Sequence, residues 1–126
     1  MTCYGGGCHC GAVRFEVDLS EAPEVHRCNC SMCSMLGYEH LIVPAANFRL
    51  LQGESALTTY TFNTGVAQHR FCRHCGIKSF YVPRSNPDGF SVNLRCLDTQ
   101  PDNLTFYDFD GQHWEQHAHS LTHLSQ

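Results

Sequence analysis

The sequence lacks the features that mark membrane, exported and nucleic-acid-binding proteins. No apolar run approaches the roughly 18 residues that a membrane helix needs, and none has the length of a signal peptide. Its eight basic residues are scattered, and the formal charge is −4. Hydrophobic residues make up 42% and charged residues 16%, which is atypical of a disordered chain. We therefore expect a soluble, cytoplasmic domain that binds neither nucleic acid nor a membrane.

Helical periodicity is scarce as well, and short strands separated by Gly, Pro, Asn and Asp take its place. We predict strands over residues 13–17, 41–43, 48–51, 57–62, 66–71, 77–82, 90–94 and 104–109. Helical turns are predicted only near 30–35 and 45–47. This pattern indicates a small all-β domain over residues 1–116, followed by a flexible tail over 117–126.

Cysteine, by contrast, is abundant, with nine residues in a chain of 126. Seven of them fall into three tight clusters, at 8 and 10, at 28, 30 and 33, and at 72 and 75. The odd count and the close spacing argue against a disulfide framework. Thiolates two or three residues apart readily share one metal ion, so we interpret the clusters as metal half-sites.

Two of the clusters have the spacing of ligand pairs. Cys72 and Cys75 form a C-x-x-C knuckle followed by Gly76, and the alternative is a thioredoxin-type redox pair. Strands predicted on both sides favour metal binding over the redox pair. Cys8 and Cys10 would project from the same side of an extended strand, and here the alternative is two buried free thiols.

The middle cluster, Cys28, Cys30 and Cys33, offers three thiols with no fourth cysteine nearby. If the other two clusters close a four-thiolate site, this one leaves a coordination position for water or substrate. Spacing alone does not prove which half-sites pair. Candidates for a fourth ligand or a proton shuttle are His26, His40, His69 and His74.

The ordered motifs Gly6–Phe15, Cys28–Cys33 and Phe71–Gly76 resemble the glutathione-dependent formaldehyde-activating enzyme family. Later segments, including Ser79–Pro87 and Phe109–Glu115, are similar to the C-terminal domain of centromere protein V. The resemblance covers residues 4–116.

The resemblance implies a zinc-containing fold of the β-tent type with short helical turns and two zinc ions. It pairs Cys8 and Cys10 with Cys72 and Cys75 as a structural zinc site. It makes Cys28, Cys30 and Cys33 the ligands of a catalytic zinc. The implied activity is that of a carbon–sulfur lyase, which forms and cleaves S-(hydroxymethyl)glutathione from glutathione and formaldehyde.

A few residues outside the clusters remain to be assigned. Arg84 or Arg95 could bind a substrate carboxylate, although either could instead be a structural partner of loop carbonyls or of an aspartate. Cys96 is interpreted as a packed thiol, with a nucleophilic or resolving role as the alternative, and Cys3 is given no role.

Three functions therefore stay open at the level of sequence. The first is the zinc-dependent lyase, and the second is a non-catalytic zinc module that binds a partner. The third is a thiol redox enzyme that uses Cys96 with a cysteine of the middle cluster.

Overall fold

The computed structural model describes all 126 residues and is built mainly from short strands. The ten strands are β1 (Thr2–Gly7), β2 (Arg14–Leu19), β3 (Glu24–Cys28), β4 (Glu39–Pro44), β5 (Phe48–Gln52), β6 (Leu57–Tyr60), β7 (His69–Cys72), β8 (Phe80–Tyr81), β9 (Gly89–Asn93) and β10 (Thr105–Phe109). The helices are short: α1 (Ser31–Leu36), α2 (Trp114–His117), and 3₁₀ segments at Ala45–Asn47, Glu54–Ala56, Leu94–Cys96, Gly111–His113 and Ala118–Ser125. The predicted all-β class with short helical turns is confirmed.

The strands form three sheets. The first has the order β1-β2-β5, the second β10-β3-β4-β9-β8, and the third is the hairpin β6-β7. All pairings are antiparallel except β3 with β10, which run parallel and place Phe109 opposite Cys28. The parallel pairing therefore brings the end of β10 to the middle cysteine cluster.

The core lies between the first two sheets. Phe15 of β2 contacts Phe48 and Phe80, with ring centroids 5.4 and 6.2 Å apart. Alternate residues of β2 are fully buried, as period-two patterning predicts for a strand with one face on the core. Burial of these aromatic side chains supplies the apolar contact that holds the two sheets together.

The C-terminal segment is the one for which the sequence predicts a flexible tail, over residues 117–126. It forms the 3₁₀ segment Ala118–Ser125 and packs Leu121 into a second small cluster with Ile42 and Phe109. The Asn86 side chain donates 2.8 Å hydrogen bonds to the Leu121 carbonyl and to Ser125 Oγ. The low apolar content of this segment gives no helical periodicity in the sequence. Its anchoring hydrogen bonds come from a loop 35 residues away in sequence.

No helix in the structure has both the length and the apolar character needed to cross a bilayer.

Candidate metal centres and the adjoining cavity

The structure brings the first and last cysteine clusters together into one group of four thiols. The sulfur atoms of Cys8, Cys10, Cys72 and Cys75 all lie within 4.8 Å of one another. Cys10 Sγ lies 3.6 Å from Cys8 Sγ and 3.7 Å from Cys72 Sγ. We call these four residues the four-thiol group.

Two tight turns position the four-thiol group. Cys8 and Cys10 lie in the turn that follows β1, where the Cys8 amide donates to the Val13 carbonyl at 3.1 Å. The predicted extended strand for these two residues is therefore wrong, and a turn places both sulfurs on one side instead. Cys72 ends β7, and its carbonyl accepts a 2.8 Å hydrogen bond from Gly76, whose φ of +76° suits glycine.

The donor set and spacing of the four-thiol group fit a tetrahedral metal ion. Zinc–sulfur bonds of about 2.3 Å place the sulfurs of a regular tetrahedron about 3.8 Å apart. The observed separations of 3.6 and 3.7 Å are close to this edge length. Backbone amides also donate to the sulfurs, from Val13 to Cys8 at 3.3 Å and from His74 to Cys72 at 3.4 Å. Such donors stabilise the thiolate form that a metal requires.

The middle cysteine cluster forms a second group, in which the sulfurs of Cys28, Cys30 and Cys33 lie within 4.8 Å of one another. Cys28 ends β3, and Cys30 is the N-cap of α1. The first turn of α1 folds the Cys33 amide back toward Cys30 Sγ at 3.4 Å. We call these residues the three-thiol group.

The loop after β10 closes over the three-thiol group. The Asn29 amide donates to the Phe109 carbonyl at 3.2 Å, and its side chain donates to Asp110 at 3.1 Å. The Gln112 amide donates to Asn29 Oδ1 at 2.9 Å. These bonds seat Gly111 directly against Cys28, where a side chain of any size would meet the sulfur.

The three thiols share their protons unequally. Hydrogen bonds from Cys28 and Cys33 lower the pKa of Cys30. Hydrogen bonding to Cys28 and Cys30, together with burial, raises the pKa of Cys33. Metal binding at these thiols therefore has to displace protons.

A cavity of about 310 Å³ opens beside the three-thiol group. All three of its cysteines line this cavity, whereas no cysteine of the four-thiol group does. The other lining residues include several aromatic and imidazole side chains: His26, His40, Phe62, His69, Tyr81 and Trp114. The size and the mixture of apolar walls with a few polar groups are typical of a small-molecule site.

Buried polar side chains contact three of the residues that line the cavity, His40, His69 and Tyr81. Lys78 Nζ donates to His69 Nδ1 at 2.7 Å and lies 3.7 Å from the centre of the Tyr81 ring. Burial lowers the pKa of Lys78 to about 8, and burial beside this lysine lowers the pKa of His69 to about 4. His40 Nδ1 lies 2.8 Å from Ser91 Oγ.

The histidines named as candidate ligands fall into two places. His26, His40 and His69 line the cavity, whereas His74 lies in the knuckle turn outside it. None of the four belongs to a group whose ligand atoms all lie within 4.8 Å. In this structure, therefore, the three-thiol group has no histidine as its fourth member.

The two arginines named from sequence have different surroundings. Arg84 lines the cavity, and its guanidinium lies 3.7 Å from the centre of the Trp114 ring. Arg95 does not line the cavity and forms a 3.1 Å ion pair with the buried Glu39. A substrate-binding role stays a prediction for both arginines, and the structure shows that Arg95 has a structural partner in Glu39.

The two remaining cysteines belong to neither group. Burial raises the pKa of Cys96 to about 11, which disfavours a reactive thiolate. Cys3 lies in β1 at the surface, 3.5 Å from the Arg49 guanidinium.

Sequence reasoning gave no role to four residues that shape the site: Lys78, Tyr81, Ser91 and Gly111. Tyr81 and Ser91 lie on predicted strands, and nothing in the sequence distinguishes them from ordinary strand residues. Gly111 follows a predicted strand and reads as a simple turn residue. Only the three-dimensional pairing of β3 with β10 reveals its contact with Cys28.

Comparison with known proteins agrees with this architecture. The profile of the family described as glutathione-dependent formaldehyde-activating enzyme matches residues 3–111. A crystal structure of a Rhodobacter sphaeroides protein, a structural-genomics target, superposes with a TM-score of 0.72 at 36% sequence identity. That match covers 82% of this chain and 99% of the Rhodobacter chain. With its cysteine motifs inside the matched region, the chain belongs to the glutathione-dependent formaldehyde-activating enzyme family.

Proposed function

We propose that this protein is a zinc-dependent carbon–sulfur lyase that forms and cleaves the adduct of a thiol and an aldehyde, with glutathione and formaldehyde as substrates. Two zinc ions are bound per chain. One is structural, at Cys8, Cys10, Cys72 and Cys75, and the other is catalytic, at Cys28, Cys30 and Cys33. The family to which the chain belongs supports the choice of substrates.

One observation carries the proposal: the three-thiol group lines the cavity and the four-thiol group does not. A site with four protein ligands is closed and structural, whereas a site with three leaves a position for a ligand. The group with room for an exogenous ligand is therefore also the one that lines the cavity.

The reaction requires little from the protein beyond positioning and charge. The thiol sulfur forms a bond to the aldehyde carbon, the carbon–oxygen π bond breaks, and the thiol proton ends on the new hydroxyl oxygen. Zinc held by the three thiols supplies Lewis acidity when bound. The cavity walls hold the two reactants together.

Arg84 is the residue that we propose to bind a glutathione carboxylate. It lies at the cavity, and its stacking on Trp114 fixes the guanidinium plane while leaving its N–H groups available for a bidentate contact. Its ion partner Glu115 is 3.8 Å away and exposed, so this weak pair competes little with a substrate carboxylate.

Two-dimensional exchange NMR tests the activity, because glutathione and formaldehyde also combine without an enzyme. We expect the zinc-loaded protein to accelerate their interconversion with the adduct, and Cys33→Ser to lose that acceleration. Cys96→Ser is the matched control, since it replaces a thiol that belongs to neither group, and it should retain the wild-type rate.

The lyase proposal fails if wild type and Cys33→Ser both give the uncatalysed rate. If, in addition, the wild type holds two zinc ions and remains folded, the result supports the non-catalytic zinc module that the sequence left open.

A further inference from the structure

His40 is a buried side chain with one unpartnered nitrogen at the wall of the cavity. It lies in β4, the central strand of the five-stranded sheet, and its exposed fraction is 4%. The imidazole lines the cavity together with the three-thiol group. Its Nε2 atom has no hydrogen-bond partner in the protein. A buried polar atom without a partner costs stability unless a ligand or an ordered water satisfies it.

The other ring nitrogen of His40 is held by two hydroxyl groups. Ser91 Oγ lies 2.8 Å from Nδ1, and the Tyr81 hydroxyl lies 3.4 Å from the same atom. Nδ1 has a single lone pair, which the closer Ser91 hydroxyl occupies as donor, while the Tyr81 hydroxyl makes a weaker contact with the same atom. If Nδ1 carried the proton, neither hydroxyl would have an acceptor at this position. The geometry therefore favours the tautomer in which Nδ1 accepts and Nε2 carries the hydrogen.

We infer that His40 Nε2–H binds the oxygen atom of the aldehyde and of the hydroxymethyl adduct, and that Ser91 and Tyr81 are positioning residues that fix its tautomer. This inference rests on the function proposed above and assigns a residue to the oxygen side of the reaction. In this role His40 supplies a donor for the oxygen on which negative charge develops.

The surroundings of His40 suit a neutral donor rather than a proton carrier. Burial, together with the nearby charge of Lys78, lowers the pKa of His40 to about 3. The groups packed around the ring are Tyr38 and Tyr81, with ring centroids 4.5 and 5.8 Å away, and Ser91. A neutral imidazole can hydrogen-bond a developing alkoxide and then release the neutral hydroxyl product.

A second imidazole shares the same wall. His26 is the cross-strand partner of His40 in the pairing of β3 with β4, and its buried Nε2 has no hydrogen bond but lies 3.9 Å from Glu24 Oε1. The His26 nitrogen therefore has a carboxylate nearby, whereas Nε2 of His40 has no polar partner in the protein. His40 is the better-defined donor because its Nδ1 is fixed.

A pair of substitutions separates the two nitrogens of His40. Asparagine places its amide near the Nδ1 position, so His40→Asn keeps a contact with Ser91 and loses the cavity donor. Glutamine reaches the Nε2 position, so His40→Gln keeps a donor toward the cavity. We expect His40→Asn to lower the enzyme-dependent exchange rate at least about tenfold, the value of one hydrogen bond, and His40→Gln to recover most of it.

Binding and spectroscopy exclude a merely structural effect. Glutathione alone presents no aldehyde oxygen, so calorimetry should give His40→Asn a dissociation constant within about twofold of wild type. Long-range ¹H–¹⁵N correlation on histidine-labelled, zinc-loaded protein should show the His40 proton on Nε2. A proton on Nδ1 would overturn the inference.

The outcomes distinguish this inference from the proposed function. Acceleration by wild type with an equal rate in His40→Asn overturns the oxygen-binding role and leaves the lyase intact. No acceleration by wild type overturns the lyase, and the role of His40 with it. If His40→Asn does not fold, the double variant Ser91→Ala/Tyr81→Phe keeps the imidazole and frees its tautomer. We then expect a slower rate together with a signal from the Nδ1–H form, and no change in either would overturn the inference.

Discussion

A side chain at Gly111 should weaken metal binding at the three-thiol group and leave the rest of the fold intact. A Cβ atom at this position would overlap the Cys28 sulfur and lie 3.0 Å from Cys30 Cβ and 3.3 Å from the Cys30 nitrogen. Relief would require movement of the loop or of Cys28. The loop is held by the Asn29 hydrogen bonds at 3.1 and 2.9 Å, and Cys28 is held in β3 by pairing with β10.

The size of the effect follows from the cost of overpacking. An added methyl group in a well-packed region costs about 1–3 kcal/mol when neighbours have to shift. If Cys28 takes up the strain by moving, that cost appears in metal binding at this group. The affinity for the second zinc ion would then fall by about 5- to 150-fold. The four-thiol group shares no residue with this loop and should keep its affinity.

Competition with a chromophoric chelator measures the zinc affinities of the three-thiol group and of the four-thiol group, in Gly111→Ala and in wild type. Gly5→Ala is the control, because its Cβ would meet only the ends of the Asp98 and Arg14 side chains, at 3.1 and 3.5 Å. We expect one weakened site in Gly111→Ala and none in Gly5→Ala. Equal affinity for the second zinc in all three proteins would refute the placement of Gly111 against Cys28.

Three further predictions follow from the same structure. Chelation or Cys72→Ser should remove the structural ion and abolish cooperative thermal unfolding. Cys96→Ser removes no metal ligand, so it should lower the free energy of unfolding by no more than about 1 kcal/mol. Arg84→Ala should raise the calorimetric dissociation constant for glutathione about tenfold, because Arg84 lines the cavity. Arg95 does not line it, so Arg95→Ala should raise this constant less than twofold. Equal effects of the two substitutions would contradict the assignment of Arg84. The pKa of His40 is about 3 when folded and about 6.5 when unfolded, so the unfolded chain binds more protons below pH 6.5 and stability is lost as the pH falls. Urea unfolding should show about 2 kcal/mol less stability at pH 5 than at pH 8 from this residue, a difference that His40→Asn should remove.

The cysteine spacing predicts much of the site because the chemistry is local. Cys30 and Cys33 are joined by one helical turn, and Cys72 and Cys75 by one knuckle, so short-range geometry fixes each half-site. The family resemblance then predicts how the half-sites pair, and the sulfur–sulfur distances agree with that pairing.

The strands that sequence reasoning missed owe their conformation to distant partners. β1 contains Gly5, Gly6 and Gly7, which have low strand propensity. Glycine is needed there because a Cβ on Gly6 would lie 2.6 Å from the Cys96 carbonyl oxygen and a Cβ on Gly7 would meet the Val13 backbone. β3 carries polar residues and gains its place by pairing with β4 and β10, far away in sequence.

The cavity could not be predicted for the same reason. Lys78 and His69 reach one another only after β7 and β8 have come together, and no spacing rule connects a buried lysine with this histidine. The partners of His40 come from β8 and β9, 41 and 51 residues further along the chain.

Native mass spectrometry of the reduced, zinc-loaded protein tests most directly whether a closed structural metal site lies beside an open catalytic one. We expect two zinc ions per wild-type chain and one in folded Cys33→Ser. A wild-type chain that holds one zinc ion while fully folded would contradict this arrangement.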